Sequence, residues 1–163
     1  MTQRESSQIA ADLAKLVRGD VFSDIIHRVA YSTDSSSYRI VPQCVVAPQD
    51  VCDVVAIVKY AGEQGIPVAP RGAGSGVAGE SLCSGIVLDM TRYMKTIAQI
   101  DGERVTCEPG VVLDDLNRRL ASSGRKIGPD PSSANRATVG GVVGNNATGA
   151  HSLQYGHASA HVE

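Results

Sequence analysis

A glycine-rich stretch between two short apolar runs is the feature that most constrains the fold of this chain. Four glycines lie within APRGAGSGVAGE, residues 69–80. Glycine adopts positive φ readily and lets a ligand approach the backbone without an intervening Cβ atom. Successive main-chain N–H groups of such a loop can converge on an anion. The stretch therefore predicts a phosphate-binding loop, with a plain flexible surface turn as the alternative.

The residues around this loop predict a parallel sheet. Apolar runs predict strands at 43–47, 66–71 and 85–90. A helix is predicted between the first two strands, starting after Pro48-Gln49-Asp50 and ending at Gly62 and Gly65. Its apolar residues recur at helical spacing, namely Val51, Val54, Val55, Val58 and Ala61. A strand, a helix and a second strand form a βαβ unit, which makes the two strands parallel.

Two familiar phosphate motifs match the loop only in part. Residues 74–79 satisfy G-x-G-x-x-G, but only five residues, Glu80–Ser84, separate Gly79 from the next strand, too few for the helix that a Rossmann site needs. Residues 74–81 approximate a Walker A loop, but Glu80 stands where the lysine belongs. A carboxylate there would repel phosphate groups. The loop therefore belongs to neither of these two classes.

Further elements are predicted on either side. An N-terminal helix is predicted to use Ile9, Leu13, Leu16 and Val17 as its apolar face and to close at Gly19. Residues 95–109 predict an antiparallel hairpin that turns at Asp101-Gly102. A later helix carries Leu113, Leu116 and Leu120, with Asp114 and Asp115 in its first turn, Arg118 and Arg119 in its last turn and Gly124 beyond.

Composition excludes several classes of function. The net charge is −2, without the basic excess of nucleic-acid-binding proteins, so nucleic acid is not an expected partner. No stretch approaches the roughly 18 apolar residues of a membrane span, and a cytoplasmic location, free or peripheral to a membrane, is expected. The four cysteines form no CxxC pair and are interpreted as reduced core thiols.

A second glycine-rich stretch, GPDPSSANRATVGGVVGNNATG, occupies residues 128–149. Thr138 can cap a helix there, and Gly140-Gly141 allows another backbone to lie close. A helix N-terminus beside hydroxyl and amide side chains is a second anion-binding surface. Two such surfaces suggest one long ligand with a pyrophosphate in its middle.

The order and spacing of four motifs resemble a known family. APRGAGSGVAG, EPGVVLDDLNRRL, GPDPSSANRATVGGVVGNNATG and HSLQYGHASAHV resemble the N-terminal FAD-binding region of the vanillyl-alcohol-oxidase/p-cresol-methylhydroxylase flavoproteins, and especially the FAD-linked D-2-hydroxyacid dehydrogenases. The resemblance implies an α+β, PCMH-type FAD-binding fold with a small parallel βαβ subdomain and an antiparallel α+β subdomain. The chain is predicted to divide into an N-terminal helical segment, 1–30, and two FAD-binding subdomains, 31–94 and 95–163, the second incomplete at its C-terminus.

The resemblance also implies which residues contact FAD. The first loop would wrap the FAD diphosphate with main-chain amides, through Arg71, Gly72, Ala73, Gly74, Ser75 and Gly76. The second stretch would lie along the diphosphate, ribityl chain and flavin ring, through Pro129, Asp130, Ser132, Thr138, Gly140, Gly141, Asn145, Asn146 and Gly149, with weaker assignments at Ser152, Tyr155 and Gly156. Relatives that tether the flavin at the first loop use a histidine where this chain has Ser75, so non-covalent FAD is expected.

The chemistry implied is oxidation of a D-2-hydroxyacid such as lactate, glycolate or 2-hydroxyglutarate, with electrons leaving to an unidentified acceptor other than oxygen. Relatives carry their substrate and catalytic residues in a later cap domain, so no catalytic residue is assigned here, and the chain alone is expected to be inactive. An iron–sulfur region occurs in some relatives beyond the matched part. The open edge of the second sheet is expected to favour self-association. A non-catalytic nucleotide-binding or interaction module with the same fold stays open as the alternative.

No metal site is predicted. His151, His157 and His161 lie close together in sequence, and a helix would place the last two on one face. Gly156 interrupts any helix there, which favours three unrelated histidines.

Overall fold

The uninterrupted apolar runs of the sequence form buried strands in the computed structural model, which describes residues 5–163. These residues separate into two compact units, the first ending at Tyr93 (unit 1) and the second running from Met94 to Glu163 (unit 2). The predicted subdomain boundary lies one residue later. The first unit also contains the N-terminal segment that the sequence had set apart.

Unit 1 is built around a sheet of four strands in the described residues. Its elements in chain order are α1 Ser6–Leu13, β1 Asp20–Phe22, α2 Ile25–Ala30, β2 Cys44–Ala47, α3 Val51–Gln64, β3 Val68–Arg71 and β4 Ile86–Asp89. The strand order is β1-β2-β4-β3, with β4 parallel to both of its neighbours and β1 antiparallel to β2. The predicted parallel βαβ unit is confirmed, although β2 and β3 each pair with β4 and not with each other.

The core of unit 1 lies between this sheet and two helices. All four residues of β2 and of β4 are buried, which explains why β2 and the first three residues of β4 are apolar without alternation. Ile9 and Leu13 of α1 and Ile57 of α3 pack in the same cluster. Burial of three such side chains stabilises the fold by roughly 1.5–3 kcal/mol each.

Helix α3 begins and ends as its sequence predicts. The Asp50 carboxylate caps it by accepting hydrogen bonds from the amides of Cys52 and Asp53, at 2.9 and 3.2 Å. Gly65 ends it in the left-handed conformation, with φ of +65°. Gly62 lies inside the helix, so the prediction that it also ends the helix was wrong.

The buried face of α3 differs from the prediction. Val51, Val55 and Val58 are exposed, but Val54 and Ala61 of the predicted face pack in the core with Ile57 and Tyr60. Asp53 is also buried. This valine-rich helix has two apolar faces, and the face that packs against the core also contains the Asp53 carboxylate. Asp53 is buried because it accepts hydrogen bonds from the amides of Arg18, Gly19 and Gln49.

The N-terminal segment is not wholly helical. Helix α1 ends at Leu13, Leu16 is 51% exposed, and Gly19 does not close the helix. A Cβ at Gly19 would overlap the carbonyl of Ala47, so this glycine lets β1 lie against β2. Strand β1 and helix α2 are therefore corrections to the predicted helical segment 1–30.

Unit 2 contains a hairpin and several short helices. Its elements are β5 Ile97–Asp101, β6 Arg104–Cys107, α4 Leu113–Leu120, a 3-10 turn at Ala121–Ser123, α5 Val139–Gly144, α6 Ser152–Tyr155 and a 3-10 turn at Ala158–His161. The predicted hairpin is confirmed. Asp101 pairs with Arg104, so the two turn residues are Gly102, at φ of +54°, and Glu103, one residue later than predicted.

Helix α4 supplies the apolar centre of unit 2. Leu113, Leu116 and Leu120 are all buried, as their spacing predicts. Leu116 and Leu120 cluster with Val111. Leu113 joins a second cluster with Ala134, Ala137, Val142 and Ala158. No helix among residues 5–163 is long and apolar enough to cross a bilayer.

Candidate functional site

The glycine loop of unit 1, residues 72–79, leaves β3 with several main-chain N–H groups available. Gly74 and Gly79 have φ of +63° and +81°, which only glycine adopts without strain. Among the described residues, the amides of residues 73–77 have no hydrogen-bond partner. Gly74, Ser75 and Gly76 are half-buried. A run of unpaired, partly sheltered amides is the donor set that a phosphate group needs.

Glu80 lies against this loop. Its Oε2 accepts a hydrogen bond from the amide of Ala78 at 3.1 Å. Its carboxylate covers Gly76, where any Cβ would overlap it. The residue that excluded a Walker A loop thus places a negative charge beside the amides.

The Arg71 side chain points to its own unit. Its Nη2 donates to the carbonyl of Thr33 at 2.8 Å and its Nη1 to that of Tyr31 at 3.5 Å. The guanidinium carbon lies 5.3 Å from the centroid of the Tyr31 ring. These contacts occupy the Arg71 guanidinium within unit 1, and the assignment of Arg71 to a ligand stays a prediction.

Sequence reasoning missed a buried carboxylate next to this region. Asp89, the last residue of β4, is 6% exposed and accepts hydrogen bonds from Tyr31 Oη at 2.6 Å, Thr91 N at 2.8 Å and Thr91 Oγ1 at 2.6 Å. Burial and the neighbouring carboxylate raise the pKa of Tyr31 to about 12. An acidic residue at the end of a fully apolar strand is the signal that could have identified it.

In unit 2, Thr138 caps α5 as predicted. It is buried, and its Oγ1 accepts a hydrogen bond from the amide of Gly141 at 3.4 Å. The other two first-turn amides are also bonded, from Val139 to the Val111 carbonyl at 2.8 Å and from Gly140 to the Pro109 carbonyl at 2.9 Å. The main-chain donors at this helix N-terminus are therefore already used inside the unit, and the assignment of Thr138, Gly140 and Gly141 to the ligand stays a prediction.

The glycines of this second stretch serve close packing. A Cβ at Gly140 would lie 2.6 Å from Pro109 Cβ. One at Gly149 would overlap the carbonyls of Pro129 and Asp130. Gly141 would meet only the Thr138 hydroxyl.

Several predicted polar residues also bond within unit 2. Asn145 Nδ2 donates to the Gly141 carbonyl at 3.1 Å. Asn146, at φ of +46°, accepts from the Ser159 amide at 2.9 Å through its Oδ1. Ser152 Oγ accepts from the Gly149 amide at 2.8 Å. Ser132 and Tyr155 differ from these, because their hydroxyls have no hydrogen-bond partner in the described part of the chain.

Asp130 is held by a lysine and a histidine. Its carboxylate lies 2.8 Å from Lys126 Nζ and 3.0 Å from His151 Nδ1. The hydrogen bond from Lys126 is the largest cause that lowers the pKa of Asp130. Its φ of +56° is unusual for a residue other than glycine. His161 Nε2 lies 2.8 Å from the Tyr155 carbonyl, and no group within residues 5–163 gathers three side chains that could hold a metal ion.

The cysteines are all free and only partly match the prediction of core thiols. Cys44 is buried, Cys83 and Cys107 are half-buried, and Cys52 is exposed on α3. Burial raises the pKa of the Cys44 thiol to about 12.

A family model described as FAD binding domain matches residues 42–163. The chain belongs to this family. The D-2-hydroxyglutarate dehydrogenase of Pantoea ananatis is 41% identical over 149 residues, which cover 88% of this chain and 15% of the relative. The glycolate oxidase subunit GlcD of Bacillus subtilis is 34% identical over 134 residues, or 79% of this chain and 28% of the relative. The chain thus spans less than a third of the length of these relatives.

Solved structures confirm the fold. An alkyldihydroxyacetonephosphate synthase has a TM-score of 0.79 at 22% identity, over 96% of this chain and 32% of that one. The 6-hydroxy-D-nicotine oxidase of Arthrobacter nicotinovorans has a TM-score of 0.74 at 26% identity, over 88% of this chain and 32% of that one. The α+β, PCMH-type FAD-binding fold and FAD as its cofactor are confirmed. The loop of unit 1 fits a diphosphate through its unpaired amides, and the assignment of individual FAD contacts stays a prediction.

Proposed function

We propose that this chain is the FAD-binding part of a flavin-dependent oxidoreductase that oxidises a D-2-hydroxyacid and passes the electrons to an acceptor other than oxygen. The observation that carries the proposal is the 41% identity over 149 residues to a D-2-hydroxyglutarate dehydrogenase. The glycolate oxidase subunit and a D-lactate dehydrogenase of Archaeoglobus fulgidus, 34% identical over 134 residues, extend the substrate class to small 2-hydroxyacids.

The amides of residues 73–77 would bind the FAD diphosphate. This assignment is supported because these amides have no other hydrogen-bond partner among the described residues. In unit 2, the proposed contacts remain those that the resemblance assigns, and among them the hydroxyls of Ser132 and Tyr155 are likewise unpaired in the described residues. The bound FAD would supply the hydride acceptor for the α-carbon of the hydroxyacid, and loss of the hydroxyl proton would complete the 2-oxoacid.

Titration with FAD followed by a dye-reduction assay tests the function. When this chain is part of a protein of its relatives' length, that protein should take up FAD, and D-2-hydroxyglutarate, D-lactate or glycolate should then reduce an artificial acceptor, with the L-enantiomers of the two chiral acids as controls. The 163-residue chain alone should turn over none of these acids. FAD uptake by the longer protein without turnover of any acid would favour the non-catalytic nucleotide-binding module. Failure to bind FAD would contradict both.

FAD is proposed to be held without a covalent bond. Ser75 occupies the loop, and a hydroxyl can hydrogen-bond a phosphate oxygen but is not an activated nucleophile toward the flavin. Acid precipitation should leave the yellow colour in the supernatant. Colour that stays in the protein pellet would contradict this part of the proposal.

Location and assembly are part of the same proposal. A cytoplasmic protein, free or peripheral to a membrane, is expected. The sheet of unit 2 has two strands in the described residues, and an unpaired strand edge favours pairing with another chain. Size-exclusion chromatography should show self-association of the 163-residue chain, whereas a strict monomer would argue against this use of the edge.

A further inference from the structure

The glycine loop is tied to a polar segment that precedes it by more than thirty residues. We propose that residues 31–38, here the clasp segment, hold the loop in the conformation that binds FAD, with Ser35, Asp34 and Arg71 as positioning residues. The inference rests on the proposed function only for the identity of the ligand.

The first tie orients one peptide of the loop. The amide and the hydroxyl of Ser35 both donate to the carbonyl of Gly74, at 3.0 and 3.2 Å. A trans peptide is planar, and its C=O and N–H point in opposite directions. Fixing the Gly74 carbonyl on the clasp segment therefore directs the Ser75 amide away from that segment, where a phosphate can reach it.

The second tie comes from the loop to the clasp segment. Arg71, at the end of β3, donates to the Thr33 and Tyr31 carbonyls and covers the Tyr31 ring. The Arg71 guanidinium thus binds the residues that precede Ser35. A Cβ at Gly74 would lie 2.6 Å from Arg71 Nη2, so the loop passes directly over this contact.

The third tie fixes the far end of the loop. Asp34 Oδ2 accepts a hydrogen bond from the hydroxyl of Ser81 at 2.9 Å, and Ser81 is buried. Asp34 Oδ1 accepts from the Ser36 amide at 2.8 Å, which shapes the segment itself. A Cβ at Gly79 would lie 2.8 Å from Tyr38 Cδ2, so the last glycine of the loop packs on the same segment.

These ties explain how a run of unpaired amides keeps an open conformation. A glycine-rich loop has many accessible conformations, and ordering it on binding would cost conformational entropy. Contacts at both ends and at Gly74 remove part of that cost before the ligand arrives. The effect is preorganisation of the phosphate-binding amides.

Two substitutions and a matched control test the clasp segment. Ser35→Ala removes the hydroxyl bond to Gly74, and Asp34→Ala removes the bonds from Ser81 and Ser36. Ser37→Ala is the control, because Ser37 is exposed in the same segment and its hydroxyl has no partner among the described residues. Ser35→Thr should restore the wild-type behaviour, since it keeps a hydroxyl.

Two quantities are measured. The first is hydrogen exchange, without FAD, of the residue-35 amide, which donates to the Gly74 carbonyl, and of the Ala78 amide, which donates to Glu80. The second is the Kd for FAD. Exchange should become faster in Ser35→Ala and Asp34→Ala. The Kd should rise about 3- to 10-fold in Ser35→Ala and about 10-fold or more in Asp34→Ala, with Ser37→Ala and Ser35→Thr close to the wild type.

The outcomes separate this inference from the proposed function. If Ser35→Ala and Asp34→Ala both keep the wild-type hydrogen exchange and FAD affinity, the proposed role of the clasp segment is wrong. The proposed function would be unaffected by that result. A higher Kd with unchanged exchange would also overturn the role of the clasp segment, because these side chains would then contact FAD directly. A wild type that binds no FAD would overturn the function and the segment's role toward FAD.

Discussion

The glycine loop of unit 1 and the glycine-rich stretch of unit 2 are both rich in glycine. They differ in whether their backbone N–H groups are already hydrogen-bonded. In residues 73–77, the amides are unpaired among the described residues. In residues 138–149, the first-turn amides of α5 and the amide of Gly149 are all bonded within the unit. Glycine provides free donors in one region and close backbone packing in the other.

The difference shows that glycine content alone does not identify an anion site. A glycine-rich stretch can bind an anion only where nearby carbonyls and hydroxyls do not already accept hydrogen bonds from its N–H groups. Pro109, Val111 and Thr138 accept such bonds in unit 2, whereas the clasp segment of unit 1 binds the Gly74 carbonyl and leaves the amides free. Four substitutions and one matched control test this contrast.

Gly149→Ala should have the largest effect, on stability. The new Cβ would overlap two backbone carbonyls, which cannot rotate away as a side chain can. The free energy of unfolding should fall by about 3 kcal/mol, as for a severely overpacked core position. Chemical denaturation monitored by circular dichroism measures it. A variant of wild-type stability that fails to bind FAD would show that Gly149 serves the ligand and not the packing.

Gly74→Val should abolish retention of FAD. The branched side chain resists φ of +63° and occupies space beside the unpaired amides. The Kd for FAD should rise about 100-fold or more, which corresponds to losing one or two charge-assisted hydrogen bonds. Isothermal titration calorimetry would measure the change.

Gly102→Val is the matched control for this experiment. Gly102 has a similar φ, +54°, in the hairpin turn of unit 2, and no atom lies within 4 Å of its Cβ position. Both substitutions should destabilise the backbone by about 1–2 kcal/mol. Only Gly74→Val should weaken FAD binding. Equal affinities in the two variants would mean that the loop is a plain turn.

Asp53→Asn tests three amides of unit 1 that already donate hydrogen bonds to a carboxylate within the unit. Burial raises the pKa of Asp53, but hydrogen bonds from Gln49, Arg18 and Gly19 outweigh it and hold the pKa below 3.8. The carboxylate therefore stabilises the fold fully above pH 3.8, and this contribution is lost as the pH falls through the lower folded pKa. Asp53→Asn should lower the free energy of unfolding by about 2 kcal/mol at neutral pH, because an amide cannot accept all three bonds.

The pH dependence checks this assignment. Unfolding curves of the wild type should lose stability below about pH 4, and the difference between wild type and Asp53→Asn should shrink there. A constant difference from pH 7 to pH 2 would mean that the three amide bonds do not depend on the charge.

Gly144→Ala should have the smallest effect, and of opposite sign. Gly144 is the last residue of α5, and a Cβ there would meet no atom within 4 Å. Alanine should raise the free energy of unfolding by about 0.5–1 kcal/mol by restricting the unfolded chain. Thermal unfolding would measure it. Destabilisation would show that the glycines of this stretch are needed for more than the close contacts at Gly140 and Gly149.

Local sequence was enough to predict elements whose determinants lie within a few residues. The apolar runs of β2 and β4, the leucine spacing of α4, the Asp50 and Thr138 caps and the hairpin at 95–109 are of this kind. The position of the glycine loop was also predicted, because its glycines follow a strand directly.

Features set by distant residues were missed. Strand β1 depends on the close approach of Gly19 to Ala47, and the buried face of α3 depends on the bonds that Asp53 makes to residues 18 and 19. The used donors at the start of α5 depend on carbonyls about thirty residues earlier. None of these partners can be read from the local pattern of apolar and polar residues.

The strand order of unit 1 has a consequence for the timing of folding during synthesis. Strand β4, the last to leave the ribosome, lies between β2 and β3 and bonds to both. Until residues 86–89 have emerged, β3 has no strand partner and β2 is paired only with the three residues of β1. The sheet therefore closes in one late step that joins segments more than forty residues apart, and the nascent chain must keep two apolar strands in solution until then.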